Sequence, residues 1–229
     1  MPTPVHSSSY SNGPAAEQIG KIRETLLLMA SLTDRNLSLA LRSLVERDDK
    51  LSDAVEAEDS QLDELEVSLD ELVINHMATH APVATDCRFM LVASKISSNL
   101  ERIGDQAVSI ARRARELNKE PLLKPLIDIP RMAQIAAGML RDSISALIDR
   151  KAEMAQEIIR RDKEVDAINK QLARELTSFM LEDPSTITRA LNLTLVARSL
   201  ERIADHCKNI AEEVYYLYQA RDIRHERKA

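Results

Sequence analysis

Paired carboxylates recur at matched positions of this sequence, and their spacing suits the binding of cations. Glu101 and Asp105 lie four residues apart in the segment Leu-Glu-Arg-Ile-Gly-Asp that starts at position 100. The segment returns at position 200 as Leu-Glu-Arg-Ile-Ala-Asp, which supplies Glu201 and Asp205. Acids four residues apart on a helix lie one turn above each other on the same face. Each repeat therefore offers two carboxylates that point in one direction.

A second pair of acids precedes each of these segments. The sequence Asp-Ser-Gln-Leu-Asp carries Asp59 and Asp63, and it aligns with Asp-Lys-Glu-Val-Asp, which carries Asp162 and Asp166. If the two helices of one repeat pack antiparallel with their pairs at one level, four carboxylates converge. Four ionised carboxylates repel each other unless protons or cations neutralise them.

Oxygen-only ligand sets favour hard cations, so Mg²⁺, Ca²⁺, Mn²⁺ and ferric iron are the expected ions, with zinc as a further candidate. The competing interpretation is a solvated acidic helix face, because acids at this spacing are common on exposed helices. A duplication would copy such surface acids as faithfully as functional ones. Repetition alone does not decide between a metal site and a solvated face.

The elements that carry these acids are predicted to be helices. Apolar residues recur every three or four positions, giving the stripes Ile96, Leu100, Ile103, Ala107, Ile110 and Val196, Leu200, Ile203, Cys207, Ile210. Such stripes are typical of helices packed in a bundle. The paired acids lie off the stripe, and we expect them on its far side. With only 4 Gly and 3% aromatic residues among 229, the composition also favours helices over strands.

The chain divides into two repeats of three helices, so the predicted fold is all-α, two tandem three-helix bundles built from six long antiparallel helices. Helices are expected at about 15–48, 52–80, 82–118, 131–150, 152–181 and 184–221. The domains are a flexible tail at 1–14, a first repeat at 15–118, a Pro-rich linker at 119–130, a second repeat at 131–221 and a charged tail at 222–229. Pro121, Pro125 and Pro130 mark the linker, since three prolines so close cannot continue a helix.

Other residues near the acids allow alternative interpretations. Gly104 and Ala204 leave room either for an ion cluster or for close helix packing, and close packing is favoured. Arg102 and Arg202 either hold a phosphate or form surface ion pairs with nearby acids, and ion pairs are favoured. His206 follows Asp205, but the first repeat has Gln at the matching position, so a structural role is favoured.

Several function classes fit the sequence poorly. The net charge is -6 without a long basic run, which argues against a nucleic-acid surface. No histidine follows a Glu by three residues, as the di-iron bundle enzymes require. Nucleophile arrangements and glycine-rich phosphate loops are absent from the sequence. Cys87 and Cys207 lack the spacing of metal ligands. We expect both to be thiols in a reducing compartment, and a disulfide between them is the alternative. No apolar run approaches the roughly 20 residues that span a bilayer.

Two three-helix repeats, with the acid-x-x-x-Asp pairs and the Leu-Glu-Arg-Ile-x-Asp signature, resemble the PhoU family of phosphate uptake regulators, accessory to the phosphate-specific transport system. The resemblance covers about 15–221 and leaves the Ser-rich start outside. It implies a cytoplasmic protein, peripheral to the membrane through its partners, that is not an enzyme. It also implies that the protein holds the phosphate-starvation regulon off and restrains uptake when phosphate is plentiful.

The resemblance also implies partners and cofactors. The partners would be the ATPase subunit of the phosphate ABC transporter, a phosphate-sensing histidine kinase and a second copy in a homodimer. Multinuclear iron or zinc clusters would bind at two sets of residues: Asp59, Asp63, Glu101 and Asp105 for one, and Asp162, Asp166, Glu201 and Asp205 for the other. Two alternatives stay open: a metal-buffering or metal-storage bundle without a signalling role, and a structural adaptor without metal.

Overall fold

The computed structural model describes residues 13–80 and 82–224, and in this part of the chain every regular element is helical. Six α-helices follow in order, with a short 3-10 turn, Pro184–Thr186, before the last one. Their bounds are α1 (Pro14–Glu46), α2 (Asp49–His80), α3 (Ala84–Asn118), α4 (Asp128–Asp149), α5 (Met154–Glu182) and α6 (Ile187–Gln219). The all-α prediction of six long helices is confirmed.

The helices form two bundles, as predicted. Helices α1, α2 and α3 pack against one another, and α4, α5 and α6 do the same. The bundles join through α3 against α6 and α1 against α4. The apolar stripes of α3 and α6 are fully buried, with Leu100, Ile103, Leu200 and Ile203 all at 0% exposure. Burying such side chains stabilises the fold by about 1.5–3 kcal/mol each, so these two stripes form the centre of the structure.

The first helix of each repeat ends at an arginine in the left-handed conformation. Arg47 has φ 57° and Arg150 has φ 60°, and their backbone N–H groups donate to the carbonyls of Ser43 and Ala146. A left-handed residue that bonds back to the last turn reverses the chain direction and ends a helix. Helix α1 was expected to end at about 48, and the structure ends it at Glu46.

Most predicted helix boundaries shift by one to three residues, and three of these shifts affect the tails and the linker. Helix α4 begins at Asp128, so Pro130 lies in its first turn and the linker is shorter than 119–130; proline is tolerated there because first-turn N–H groups lack helical partners anyway. Helix α1 begins at Pro14, inside the predicted tail 1–14, whose first twelve residues lie outside the described part. Helix α6 ends at Gln219, and residues 225–229 of the charged tail also lie outside the described part.

The end of the described chain returns to the bundle. Arg224 Nη1 lies 3.2 Å from Glu213 Oε1, and Glu213 is buried on α6. The described part of the charged tail therefore contacts the bundle through Arg224. Among the described residues, no helix combines the length and apolar character needed to cross a membrane.

Candidate metal centres

The first acid cluster lies between α2 and α3. Helix α2 supplies Asp59 and Asp63, and α3 supplies Glu101 and Asp105. Their electrostatics show that the structure brings them together. Burial raises the pKa of Asp59, and the charges of Asp63 and Asp105 raise it further. Burial also raises the pKa of Glu101 to about 7, with Asp105 as the next largest cause and Asp63 among the others.

The sequence suggested that the acids lie on the far side of the apolar stripe. The structure instead buries one acid of each cluster. The side chain of Glu101 is only 13% exposed, whereas that of Asp105 is 43% exposed. In the second repeat, Asp162 is 8% exposed as a whole residue. The reason is that α2 packs over the flank of α3 and covers Glu101, while Asp162 lies on the side of α5 that packs against its neighbours in the second bundle. The clusters therefore lie at the contacts between neighbouring helices.

Little positive charge offsets the first cluster. Arg102 Nε lies 3.3 Å from Glu101 Oε2, and Arg102 Nη1 lies 3.7 Å from Asp105 Oδ2, but the arginine side chain is 59% exposed. Glu101 Oε2 is buried and accepts no hydrogen bond. A buried carboxylate oxygen without a donor costs roughly 1–3 kcal/mol or more, which a proton or a cation would recover. The favoured interpretation as an ion-pairing residue is confirmed for Arg102. For Arg202 it is wrong, since no carboxylate of residues 13–80 and 82–224 forms an ion pair with this arginine.

The second acid cluster lies between α5 and α6 and repeats the arrangement. Burial raises the pKa of Glu201, and the charges of Asp166, Asp205 and Asp162 raise it further, in that order. Burial likewise raises the pKa of Asp162, although Lys208 acts in the opposite direction. In each repeat, the charges of the predicted acids thus act on one another across two neighbouring helices.

Lys208 distinguishes the second cluster from the first. Its Nζ lies 2.6 Å from Asp205 Oδ1 and 3.2 Å from Asp162 Oδ2, so one ammonium group bridges α5 and α6. The matching residue of the first repeat is Val108, which carries no charge. Sequence reasoning missed this residue, although the alignment of the repeats with an offset of 100 would have revealed the exchange.

The two clusters differ in how well they suit a metal ion. In the described chain, no three Asp, Glu, His or Cys side chains stand in the arrangement of a metal site. The first cluster nevertheless fits a cation, since its ligands are oxygens and the buried Oε2 of Glu101 lacks a donor. The second cluster fits less well, because the ammonium of Lys208 already neutralises the position that a cation would take.

Gly104 is explained by helix packing. A Cβ built at Gly104 would collide with the Cδ1 atom of Leu62 on α2. At the corresponding places of the second repeat, Ala204 is tolerated and Val165 replaces the leucine. The larger Leu62 thus faces the smaller Gly104 in the first repeat, whereas the smaller Val165 accompanies the larger Ala204 in the second. Close packing, the favoured interpretation of the small residues, accounts for Gly104 without an ion.

His206 and the cysteines have structural surroundings. His206 Nδ1 lies 2.9 Å from Asn99 Oδ1 on α3, so the ring joins the two repeats, and burial lowers its pKa. The structural role favoured for His206 agrees with this contact. Cys87 and Cys207 are both free thiols, and Cys207 is completely buried, which raises its pKa. Neither cysteine joins the acid clusters.

Comparison with known proteins identifies the family. The PhoU domain matches residues 26–114 and 129–214, one match for each bundle. The PhoU accessory protein of the phosphate-specific transport system of Escherichia coli (strain K12) is 32% identical over 221 residues, covering 96% of this chain and 92% of the relative. The PhoU homolog of Aquifex aeolicus (strain VF5) is 37% identical over 210 residues, covering 92% and 95%.

A solved structure agrees with these matches. The crystal structure of PhoU from Pseudomonas aeruginosa superposes with a TM-score of 0.88 at 34% identity, covering 90% of this chain and 99% of that one. The matched repeats, the sequence identity and the shared architecture lead to one conclusion: this chain belongs to the PhoU family.

Proposed function

We propose that this protein is an accessory regulator of a phosphate-specific transport system. In this role it restrains high-affinity phosphate uptake and keeps the phosphate-starvation regulon repressed when phosphate is plentiful. The observation that carries the proposal is the match of both bundles to the PhoU domain. In addition, this chain matches relatives named as accessory proteins of the phosphate-specific transport system, and each match covers nearly the whole relative.

The proposed mechanism is a scaffold between transport and signalling. The protein would contact the ATPase subunit of the phosphate ABC transporter and a phosphate-sensing histidine kinase on the cytoplasmic side of the membrane. Long helices with charged outer faces support this role, since they present extended surfaces to more than one partner. Assembly as a homodimer would double these surfaces.

We further propose that metal ions bind at the acid clusters. Iron or zinc are the ions that the family suggests, while Mg²⁺, Mn²⁺ and Ca²⁺ also suit carboxylate ligands. In the first cluster, Asp59, Asp63, Glu101 and Asp105 would hold the cation and satisfy the buried oxygen of Glu101. In the second cluster the cation must first displace Lys208, so we expect weaker binding there.

A deletion strain tests the regulatory role. We expect alkaline phosphatase, as a reporter of the phosphate-starvation regulon, to be active at high phosphate in a strain without this gene and silent when the gene is restored. A reporter that stays silent in the deletion strain would contradict the regulatory role, whatever the metal content of the protein.

The same strain tests the acid cluster. Restoration with Glu101→Gln plus Asp105→Asn should fail to silence the reporter if the metal takes part in signalling. Glu116→Gln is the matched control, because Glu116 lies on the same helix, is 51% exposed and pairs only locally with Lys119. Equal silencing by both variants would show that the first cluster is dispensable for the regulation.

The alternative function is metal buffering or storage without signalling, and the concentration of eight carboxylates in two clusters favours it as the second candidate. Tight metal binding, combined with failure of the purified protein to bind the transporter ATPase subunit or the kinase, would support storage. Partner binding by the metal-free protein would support the third candidate, a structural adaptor that needs no metal.

A further inference from the structure

A groove between α3 and α6 lies outside both acid clusters. It encloses about 280 Å³ and lies at the junction of the two repeats. Its polar lining consists of Gln106, Ser109 and Arg113 from α3 and Arg198, Ser199 and Arg202 from α6. Every polar side chain in this lining carries at least one hydrogen-bond donor, and none of the lining residues is an acid.

The three arginines lack carboxylate partners. Among residues 13–80 and 82–224, no carboxylate forms an ion pair with Arg113, Arg198 or Arg202, whereas most other arginines of these helices are paired. Arg198 and Arg202 lie four residues apart on one helix, a spacing at which like charges destabilise the helix by a few tenths of a kcal/mol. In a protein with net charge -6, such a cationic groove is unexpected.

The pseudo-symmetry of the chain supplies a comparison site. An offset of 100 aligns Arg113 with Glu213 and Leu195 with Lys95. At the aligned site, Lys95 Nζ lies 3.1 Å from Glu213 Oε1, and Arg224 also contacts Glu213. That site therefore contains its own anion.

The floors of the two sites also differ. In the groove the hydroxyls of Ser109 and Ser199 lie 3.4 Å apart. At the aligned site Asn99 is engaged by His206 at 2.9 Å. One junction is thus closed by internal ion pairs, while the other contains three arginines without a carboxylate partner beside the hydrogen bond from Ser199 to Ser109.

We propose that this groove binds a small phosphorylated anion, in which a phosphoryl group contacts Arg113, Arg198 and Arg202. Guanidinium groups match phosphoryl oxygens with two parallel N–H donors, and serine hydroxyls add further donors. The volume accommodates inorganic phosphate or a phosphoryl group with a small attached moiety, but not a protein segment. The proposal rests on this geometry and not on the regulatory function proposed above.

Calorimetric titration of the full chain tests the proposal. Inorganic phosphate and ADP are titrated separately in the presence of EDTA, so that metal at the acid clusters does not contribute. We expect at least one of them to bind, and comparison of the two affinities identifies free phosphate or a nucleotide as the source of the phosphoryl group. Arg198→Gln and Arg202→Gln should each weaken binding about tenfold or more.

Two further variants make the test specific. Arg160→Gln removes one exposed, locally paired arginine on α5 and should change the affinity less than about twofold. Arg113→Glu copies the acid found at the aligned site and should abolish binding while circular dichroism shows an intact helical fold. The proposal is overturned if neither ligand binds at about 10 mM, where a millimolar site is nearly saturated. Retained affinity in Arg113→Glu, or an equal loss in Arg160→Gln, overturns it as well.

Discussion

At the scale of single residues, charge balance separates the two acid clusters. Glu101 carries a buried oxygen without a hydrogen-bond donor, and burial raises its pKa to about 7. In the second repeat, the ammonium of Lys208 contacts two of the four acids directly. The first cluster is therefore offset mainly by the exposed side chain of Arg102, whereas the second contains the largely buried side chain of Lys208.

The raised pKa of Glu101 predicts a pH-dependent stability of the metal-free protein. The group ionises near 4.5 when unperturbed and near 7 in the folded state. Its contribution to stability is therefore complete below about pH 4.5 and is lost as the pH rises through about 7. Compared with Glu101→Gln, the wild type should lose on the order of 1–2 kcal/mol between pH 5 and pH 8.

Urea denaturation in EDTA at both pH values measures this difference. The change in the free energy of unfolding of Glu101→Gln is subtracted from that of the wild type. This removes the contributions of the other acids, because they titrate in both proteins. If the wild type and Glu101→Gln lose stability in parallel, the ionisation of Glu101 is not the cause.

Removing the ammonium of Lys208 should make the second cluster dependent on added metal. Without metal, Lys208→Met leaves Asp162 and Asp205 uncompensated and should lower the free energy of unfolding by about 1–3 kcal/mol. Added Mn²⁺ should then raise the melting temperature of the variant more than that of the wild type. Lys163→Met is the control, since Lys163 is exposed on α5. A variant that responds to Mn²⁺ no more than the control would contradict this role.

At the scale of elements, the approach of α2 to α3 depends on a size match. Leu62 occupies the space that a side chain at position 104 would need. In the second repeat, Val165 and Ala204 occupy the corresponding positions. Because packed cores tolerate changes that conserve total volume better than additions, the two positions should be energetically coupled.

A double-mutant cycle tests this coupling. Leu62→Val alone should cost roughly 0.5–1.5 kcal/mol through the lost methylene and the remaining cavity. Gly104→Ala alone combines a gain in helix propensity with overpacking of about 1–3 kcal/mol. The double variant copies the second repeat. Its free energy of unfolding, measured by chemical denaturation, should exceed the value expected from the sum of the two single changes by at least about 0.5 kcal/mol. Additive effects would show that the two side chains do not compete for the space.

At the scale of the whole molecule, the repeats share one core. The buried residues of α3 and α6 belong to the same apolar cluster as those of the outer helices. Polar contacts such as Lys95–Glu213 and His206–Asn99 cross the same junction. The junction thus resembles the interior of a domain more than a contact between independent domains.

This continuity predicts cooperative unfolding of both repeats. Calorimetry should show a single transition whose calorimetric and van't Hoff enthalpies agree. Leu176→Ala, a core change confined to the second repeat, should shift the whole transition by an amount that corresponds to about 2–5 kcal/mol. Two resolved transitions, with only one of them displaced by this variant, would show that the repeats unfold separately.

The sequence by itself determined the six helices, their order, the duplication and the membership of each acid pair. These features are local, because helical periodicity, helix-ending segments and the spacing of four residues depend on residues close together along the chain. The family signature at positions 100–105 and 200–205 depends on the same local pattern. Boundaries such as the start of α4 at Asp128 were less accurate, because first-turn residues tolerate proline.

Only the tertiary structure decided how deep each acid lies and which charges meet. The burial of Glu101 depends on how α2 covers the flank of α3, and the burial of Asp162 depends on how α5 packs against its own neighbours, neither of which spacing along one helix encodes. The bridge from Lys208 to Asp162 joins residues on different helices. The cationic groove of Arg113, Arg198 and Arg202 exists only where α3 meets α6. Electrostatic energies depend on distance and burial, and both arise from packing between helices.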